Sequence, residues 1–572
     1  MIEKMTKYSF ILLSADTEGF LSALQSLGVV DITRSEKAVD AASAALLGSI
    51  EKRRQLISET ENGSDATLKG LEAECDALQK AADEQRVWGS YDRDALAATG
   101  ISLHFYSVAS KKYDPSWETQ YAIQTVEDDG RTRWFVIAGD NAEFPLKELP
   151  SPSRNLSDLE AELSAAQDRA EEYRKTLEAR KAELPALREG LSAMESDFER
   201  ALAAASAESA AEETLAVLEG FAPADSCSAV DALIEECGVF CLKEEASAPD
   251  NPPIKLKNNW FSRQFEVLTD MYGRPVYDEF DPTPILAPFF LLFFAMCMGD
   301  AGYGILLILI GWFLKKKVPS MADMAPLVSI LGAGTFVVGI VLHTFFGINL
   351  YEAAWVPEGL KKIMISGSIA GYDAQMVLAV GVGIFHICLA MVVKSICYTQ
   401  RFGFAKTVST WGWTLLIVGA VLICGLALLG IMDKSLVKVA LIALGVVSAL
   451  GIFLFNDLHR NVFLNIGSGL WDSYNMVTGL MGDVLSYLRL YALGLAGGML
   501  GNTFNLLAGM TLGIQIPGVN ILLFIFIILI GHALNLALSC LGAFVHPLRL
   551  TFVEYFKNSG FEGTGKTYRP LK

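Results

Sequence analysis

The 572-residue sequence contains few cysteines, and its first half has few positive charges. The nine cysteines are scattered, and their odd number argues against a disulfide framework. Only Cys237 and Cys241 lie close together, without a second pair or nearby histidines, which favours small core residues over a zinc site. Residues 1–280 contain 29 Lys and Arg against 52 Asp and Glu, which argues against nucleic-acid binding by this half.

The N-terminal segment lacks the features of a signal peptide. Its apolar run, within MIEKMTKYSFILLSAD, is too short, and the sequence beyond it is acidic. We therefore expect the first half to remain in the cytoplasm. Residues 281–572 contain 17 basic and 12 acidic residues among long apolar segments. The composition thus separates an acidic water-soluble part from a membrane part.

Alternating and helical patterns in the first half predict two small α+β lobes. A strand–helix–strand pattern near the N-terminus and a later helix and strand predict a proximal lobe at 1–40 and 215–250. Period-two alternation with the hairpin signal EDDGR predicts a distal lobe at 95–150. Apolar residues at helical spacing in 41–90 and 154–210 predict a coiled coil.

Because the distal lobe interrupts the coiled coil, an antiparallel intramolecular hairpin is favoured over a generic dimerisation coil. The predicted fold is therefore multi-domain. A cytoplasmic α/β dumbbell at 1–260 and a linker at 261–280 precede an all-α membrane domain of eight helices at 281–572.

The membrane part contains eight apolar segments: 284–299, 302–314, 326–348, 374–398, 404–430, 436–456, 470–508 and 519–556. The segments 284–299 and 302–314 are counted as two because one helix over both would be roughly 46 Å long, whereas the hydrocarbon core is about 30 Å thick. It would also place Asp300, within MGDAGYG, at its middle. The last two segments exceed the bilayer thickness, so we expect them to tilt strongly, bend or project into water.

The distribution of basic residues predicts a multi-pass membrane protein with both termini in the cytoplasm. Four basic residues fall on the opposite side: Lys361, Lys362, Lys434 and Lys438. Eleven fall on the cytoplasmic side: Lys315, Lys316, Lys317, Lys394, Arg401, Lys406, Arg460, Lys557, Lys566, Arg569 and Lys572.

Two arginines lie within the last two apolar segments, Arg489 and Arg549. An arginine at bilayer depth costs about 2.5 to 3.5 kcal/mol and cannot lose its charge, so it needs a partner or a water path. The same segments carry polar residues that a lipid-facing bundle would not need: Asn475, Asp483, Ser486, Tyr487, Asn502, Asn505, His532, Asn535, Ser539 and His546. Each alone is explained by hydrogen bonding between helices, but the set around two arginines favours a hydrated ion path.

Three motifs in the membrane part resemble one known family: DPTPILAPFFLLFFAMCMGDAGYG at 281–304, SYLRLYALGLA at 486–496 and HPLRLTFVEYF at 546–556. In order and spacing they are similar to the large membrane stator subunit of rotary V/A-type ATPases. That subunit is called subunit a in eukaryotes and subunit I in prokaryotes. The size and the C-terminal tail are closer to the prokaryotic branch.

The resemblance implies that Arg489 and Arg549 are the family's two membrane arginines, with Arg489 the more important. They would face the carboxylates of a rotor proteolipid ring (subunit c/K type), between two half-channels for H⁺ or Na⁺. It also implies a prokaryotic cell membrane, peripheral-stalk subunits (E/G type) bound to the N-terminal lobes, and a central-stalk base subunit (d/C type). The subunit would be non-catalytic and without a cofactor or metal, because ATP is hydrolysed on other subunits.

Two positions depart from the eukaryotic pattern. Gly497 stands where many eukaryotic relatives have histidine, and Ser539 stands where they have glutamate. The resemblance therefore implies that at least one half-channel has a different polar lining here.

Residues 560–567, GFEGTGKT, begin with Gly560, end with Thr567 and fit the P-loop pattern GxxxxGK[ST]. A P-loop lies between a strand and a helix, whereas this stretch follows a membrane segment and has only five residues after it. We therefore predict that the match is accidental and that the stretch binds no nucleotide.

Two other functions remain open from the residues alone. One is a self-contained secondary ion transporter, although the inverted repeats typical of that class are not evident. The other is a membrane scaffold with a coiled coil. The sequence also leaves open H⁺ or Na⁺, and pump or synthase.

Overall fold

The computed structural model describes residues 2–34, 41–58, 60, 64–89, 98, 100–139, 144–149, 156–210, 214–318, 321, 323–354, 356–369, 371–454, 462–513 and 518–572. Arg460 and parts of the predicted lobe and coil boundaries lie outside these residues. The chain divides into two compact units. One contains Met1–Leu12, Ser26–Ile32 and Val217–Pro570, and the other contains Leu13–Gln25, Thr33–Ala216 and Leu571–Lys572.

The chain begins with β1 (Met5–Leu13), α1 (Thr17–Leu27) and β2 (Asp31–Ile32). These follow the predicted strand–helix–strand pattern, although β2 is short. Along β1, buried residues alternate with partly exposed ones, as expected for a strand with one buried face.

The second unit contains a long helix on which two shorter helices pack. Its elements are α2 (Ala41–Ser58), α3 (Ser64–Arg86), β3 (Leu103–Ala109), α4 (Trp117–Gln120), β4 (Ile123–Asp128), β5 (Thr132–Ala138), α5 (Leu156–Ala205) and β6 (Glu208–Ala210). Helix α5 continues through Pro185. Both α2 and α3 pack against it. The ion pairs between these helices include Arg54–Glu195, Glu72–Arg174, Glu74–Arg169 and Arg86–Glu160. As the residue numbers of the paired residues rise along α2 and α3, those of their partners on α5 fall. The helices therefore pack antiparallel.

The predicted distal strands are confirmed as an antiparallel sheet in the order β3-β5-β4. The EDDGR stretch joins β4 and β5, and the Asp129 side chain accepts hydrogen bonds from the backbone of Arg131 and Thr132. The side chains of Tyr106, Phe135 and Phe144 form the aromatic core beside this sheet.

The first unit then adds β7 (Leu215–Pro223), α6 (Cys227–Cys237) and β8 (Phe240–Glu245). The strand order is β2-β7-β1-β8, with β8 antiparallel to β1 and β7 antiparallel to β2. Sequence analysis predicted β8 and α6 but missed β7. Gly220 and Pro223 are residues that strands usually lack. Both faces of the strand are buried at its C-terminal end, so apolar and polar residues do not alternate there.

The linker forms two short helices, α7 (Trp260–Arg263) and α8 (Glu266–Tyr272), before α9 (Thr283–Met298) and α10 (Ala301–Lys317). The predicted break at Asp300 is present, because α9 ends at Gly299 and Asp300 caps α10. Next comes α11 (Ala325–Val341), where Leu291 packs over Gly334 and Gly304 lies against the backbone of Phe336. Leu291, before the break, and Gly304, after it, thus contact residues of α11 that are only two positions apart. The chain therefore reverses direction at Asp300.

The remaining elements are β9 (Thr344–Phe345), β10 (Ile348–Asn349), α12 (Glu358–Lys361), β11 (Ser368–Ile369), β12 (Tyr372–Asp373), α13 (Ala374–Phe402), α14 (Val408–Leu428), α15 (Lys434–Ala449), α16 (Val462–Thr511), α17 (Val519–Arg549) and α18 (Phe556–Ser559). A π-helical turn, Leu550–Tyr555, joins α17 to α18.

Five helices among the described residues are long and apolar enough to cross a membrane: Ala374–Phe402, Val408–Leu428, Lys434–Phe453, Asn465–Thr511 and Val519–Ser559. Thr283–Met298 and Ala325–Val341 are apolar but shorter. The main hydrophobic core joins α9 to α11 with α13, α16 and α17, and it includes Phe293, Tyr303 and Tyr487.

Candidate functional site

Arg489 and Arg549 lie on α16 and α17, which pack against each other. Arg489 is partly buried, and its Nη1 has no hydrogen-bond partner among the described residues. Arg549 is exposed at the end of α17, in line with the exposed side chains of Leu541 and Val545. His546 interacts electrostatically with both guanidinium groups. The structure therefore brings both arginines to one region, with donors free for an anionic group.

A cavity of about 360 Å³, which we call the Asp483 cavity, opens beside the first part of α16. Two of the predicted residues line it, Asn475 and Asp483. Its other polar lining residues are Lys394, Ser409, Thr410, Thr414, Asp472, Lys557 and Asn558. This cavity therefore contains charges of both signs.

A second cavity of about 230 Å³, which we call the Asn502 cavity, opens beside the later part of α16. The predicted Asn502 lines it, together with His343, Asn349, Gln375 and Tyr491. Along α16 the two cavities contact residues 472–483 and 491–502, and Arg489 lies between them. At about 1.5 Å per residue, Asp483 and Asn502 lie roughly 9 and 20 Å from Arg489 along the helix axis.

Four predicted residues form a hydrogen-bonded chain beside the Asn502 cavity. The Tyr303 hydroxyl bonds to His532 Nδ1 at 2.8 Å and accepts from Asn535 Nδ2 at 2.8 Å. His532 Nε2 lies 3.0 Å from Asn505 Oδ1, and the Ser539 hydroxyl donates to Asn535 Oδ1 at 3.3 Å. We call this group the Tyr303 network. Sequence analysis did not predict Tyr303 as a site residue, because nothing in its motif indicates that the side chain contacts His532 and Asn535.

Asp300 anchors the same end of the bundle. Its carboxylate is 1% exposed and accepts hydrogen bonds from the backbone of Gly302, Tyr303, Phe346 and Gly347. Four donors offset the cost of burying the charge. Asp300 therefore fixes the β9–β10 hairpin against α10, next to Tyr303.

Tyr487 lies apart from both cavities. It is fully buried, its ring covers Gly383, and its hydroxyl bonds to His386 Nδ1 at 2.9 Å. Two residues rotate an α-helix by about 200°, so Tyr487 and Arg489 face opposite directions. Tyr487 thus packs α16 against α13, while Arg489 points away from that contact.

Comparison with known proteins decides the family. A model of the V-type ATPase 116kDa subunit family matches residues 142–348. The A-type ATP synthase subunit I of Methanocaldococcus jannaschii is 31% identical over 456 residues, covering 74% of this chain and 64% of the relative. The V-type ATP synthase subunit I 1 of Treponema pallidum is 26% identical, and the match covers the whole of both chains. The chain belongs to the subunit I family of V/A-type ATPases.

The lengths of subunit I relatives differ. The chain matches only 48% of the Pyrococcus abyssi A-type ATP synthase subunit I, at 32% identity. The matched parts of the Methanocaldococcus and Pyrococcus relatives are therefore less than two thirds of their lengths.

The two departures noted for this family member face each other. A Cβ atom on Gly497 would lie 3.1 Å from Ser539 Oγ, so these positions are neighbours on α16 and α17. Asn535 Nδ2 donates to the Gly497 carbonyl at 2.9 Å. Two small residues thus meet at this contact between α16 and α17, and a neighbouring amide provides the polar contact.

The P-loop-like stretch of this subunit I chain, residues 560–567, lies in a different setting from a nucleotide-binding loop. Gly560 directly follows α18 as its C-cap, with a left-handed φ of 70°. At the other end, Thr567 forms an isolated parallel bridge with Ile254. The stretch therefore follows a helix, whereas a P-loop follows a strand. An accidental match stays our prediction for Gly560 to Thr567.

Close backbone contacts with the linker account for the glycines of this stretch. Gly565 N donates to Arg274 O at 2.8 Å. The Pro275 carbonyl approaches Gly565 so closely that no side chain fits there, and the Gly563 carbonyl approaches Gly273 in the same way. Close packing of the backbone therefore accounts for glycine at positions 273 and 565.

Proposed function

We propose that the chain is the ion-translocating stator subunit of a rotary V/A-type ATP synthase or ATPase. It forms two half-channels for H⁺ or Na⁺ against a rotor proteolipid ring of the c/K type. Its membrane part crosses the bilayer in eight segments with both termini cytoplasmic. ATP is made or hydrolysed on other subunits.

The observation that supports this function best is the position of Arg489 between two cavities on one helix. A continuous pore would let ions leak across the membrane without rotation. Two cavities that are separated by a fixed positive charge instead require an ion to travel on a moving carrier. The carboxylates of a rotor ring supply that carrier.

The charge of Arg489 accounts for ion release from the ring. A guanidinium about 4 Å from a carboxylate attracts it by about 4 kcal/mol at an effective dielectric constant of 20. This favours the ionised carboxylate, so each incoming site gives up its H⁺ or Na⁺. The unpaired Nη1 of Arg489 is a donor for that carboxylate. An arginine keeps its charge throughout the cycle.

Arg549 supplies a second fixed charge at the same interface. Its exposure on a row of apolar side chains suits a surface that the ring covers. Because it lies at the end of α17 rather than between the cavities, its removal is expected to impair transport less than removal of Arg489.

The N-terminal part is proposed to hold the stator still. Lobes at the two ends of the antiparallel helices, in a dumbbell arrangement, bind peripheral-stalk subunits of the E/G type and the central-stalk base subunit of the d/C type. The packing of α2 and α3 along α5 supports helices that remain paired under load.

The test uses the whole complex reconstituted in vesicles, with Arg489→Ala beside the unaltered protein. Ion-driven ATP synthesis and ATP-driven ion pumping should both be lost, while the complex still assembles. Arg401→Ala is the matched control, because Arg401 pairs with Asp278 and Glu562 outside the two cavities. Coupled transport that survives Arg489→Ala would show that the arginine is structural.

A further inference from the structure

Glu554 lies in the π-helical turn after α17 and is 2% exposed. Its carboxylate lies close enough to Ser486 to interact with it electrostatically, and its Oε2 is buried without a hydrogen-bond partner in the described part of the chain. A buried carboxylate with an unsatisfied oxygen is costly. A packing role does not explain it, because glutamine would have the same shape without the charge.

The π-helical turn determines where Glu554 points. In such a turn, residues five apart stack along one face, so Glu554 follows Arg549 on the same side. Glu554 interacts electrostatically with Arg549. An ordinary α-helical turn would rotate residue 554 by about 140° from residue 549. The π-helical turn therefore places Glu554 on a different side of the helix from the one that an α-helical turn would give.

The side chain of Asn558 links the backbone at Glu554 to the Asp483 cavity. Asn558 Nδ2 donates to Asp483 Oδ2 at 2.8 Å and to the Glu554 carbonyl at 2.7 Å. Lys557 Nζ lies 4.0 Å from Asp483 Oδ1. Asp483 and Glu554 also interact electrostatically. Asp483, Lys557 and Asn558 line the cavity, so Glu554 lies behind its wall, next to Asn558.

We propose that Glu554 is the ion-relay residue between the Asp483 cavity and the ring, working as a pair with Asp483. This inference rests on the proposed function. If the ion is H⁺, Glu554 takes a proton from the cavity side and becomes a neutral acid. It then passes the proton to an ionised ring carboxylate and returns to its charged form. If the ion is Na⁺, the two carboxylates and the Ser486 hydroxyl supply oxygen ligands for it.

The test compares Glu554→Gln with the unaltered complex in vesicles, measuring ATP-driven pumping and ATP hydrolysis. Pumping should fall by about tenfold or more, because proton relays contribute at least that much. Glu554→Asp should restore part of the rate. Glu562→Gln is the matched control and should change pumping by less than about twofold, since Glu562 forms an exposed ion pair with Arg401.

Parallel assays separate the outcomes. If Arg489→Ala still pumps, the proposed function fails. If Arg489→Ala stops pumping and Glu554→Gln pumps normally, only the relay inference fails. If Glu554→Gln does not assemble, Asp483→Asn decides, because the relay works as a pair with Asp483, and normal pumping in that variant overturns the inference. Pumping measured with and without Na⁺, beside a proton-sensitive dye, shows which ion the relay carries.

Discussion

The two ends of α16 differ in how their polar groups are satisfied. The Asp483 end contains ionisable groups, and among the described residues the Glu554 Oε2 has no hydrogen-bond partner. These groups are Lys394, Asp472, Asp483, Glu554 and Lys557. The Tyr303 network at the other end is built from amides, hydroxyls and a histidine that bond to one another. The Asp483 end therefore has charged side chains that an ion can contact, whereas the Tyr303 network consists of uncharged groups that bond to one another.

This difference indicates different tasks for the two ends. A fully hydrogen-bonded network holds its side chains in fixed positions and stabilises one arrangement of the helices. Carboxylates with free oxygens instead bind and release cations. Neutralising a buried carboxylate at the Asp483 end, Asp483 or Glu554, should therefore cost more transport than breaking one hydrogen bond in the Tyr303 network.

In the comparison between the two ends of α16, the largest effect is expected for Asp483→Asn. The change removes the charge while keeping the shape, so ATP-driven pumping should fall by about tenfold or more. Asp472→Asn is the control at the same cavity. Because Asp472 is exposed, we expect a change of less than about twofold. Equal pumping by the two variants would contradict a specific role for Asp483.

A smaller effect is expected for Tyr303→Phe. It removes the hydroxyl between His532 and Asn535 and leaves buried polar groups unpaired, which costs about 1 to 3 kcal/mol. The complex should dissociate at a lower temperature, and pumping should fall by about two- to tenfold.

Tyr491→Phe is the control for this variant, since the Tyr491 hydroxyl makes one longer bond, 3.3 Å, to Asp373. A loss of pumping larger in Tyr303→Phe than in Asp483→Asn would reverse the comparison between the two ends.

Periodicity predicted most of the secondary structure because each element buries one face. The bounds of the predicted apolar segments are close to those of helices α9 to α11 and α13 to α17. The break at Asp300 was predicted from the cost of placing a charge in a long span. The distal hairpin followed from its turn residues. Strand β7 was missed because local composition does not show which strands a sheet will place at its centre.

The polar residues of α16 and α17 were predicted as one set, but the structure separates them. Tyr487 turns toward α13, Asp483 and Asn475 line one cavity, and Asn502 lines the other. Such sorting depends on helix rotation and on partners from distant segments. Tyr303 is 229 residues from His532, and Glu554 depends on a π-helical turn. A single sequence carries no local signal for either.

The smallest effect is expected for Ser539→Ala, at the position where relatives were expected to carry glutamate. The Ser539 hydroxyl makes a long hydrogen bond of 3.3 Å to Asn535, which keeps its bonds to Tyr303 and the Gly497 carbonyl. Pumping should therefore change by less than about twofold, since a weak neutral hydrogen bond contributes about 0.5 kcal/mol. Asn535→Ala, which removes every one of those contacts, should impair pumping more. If Ser539→Ala instead matched Asp483→Asn, the ion would depend directly on Ser539, and the neutral end would be part of the relay rather than its framework.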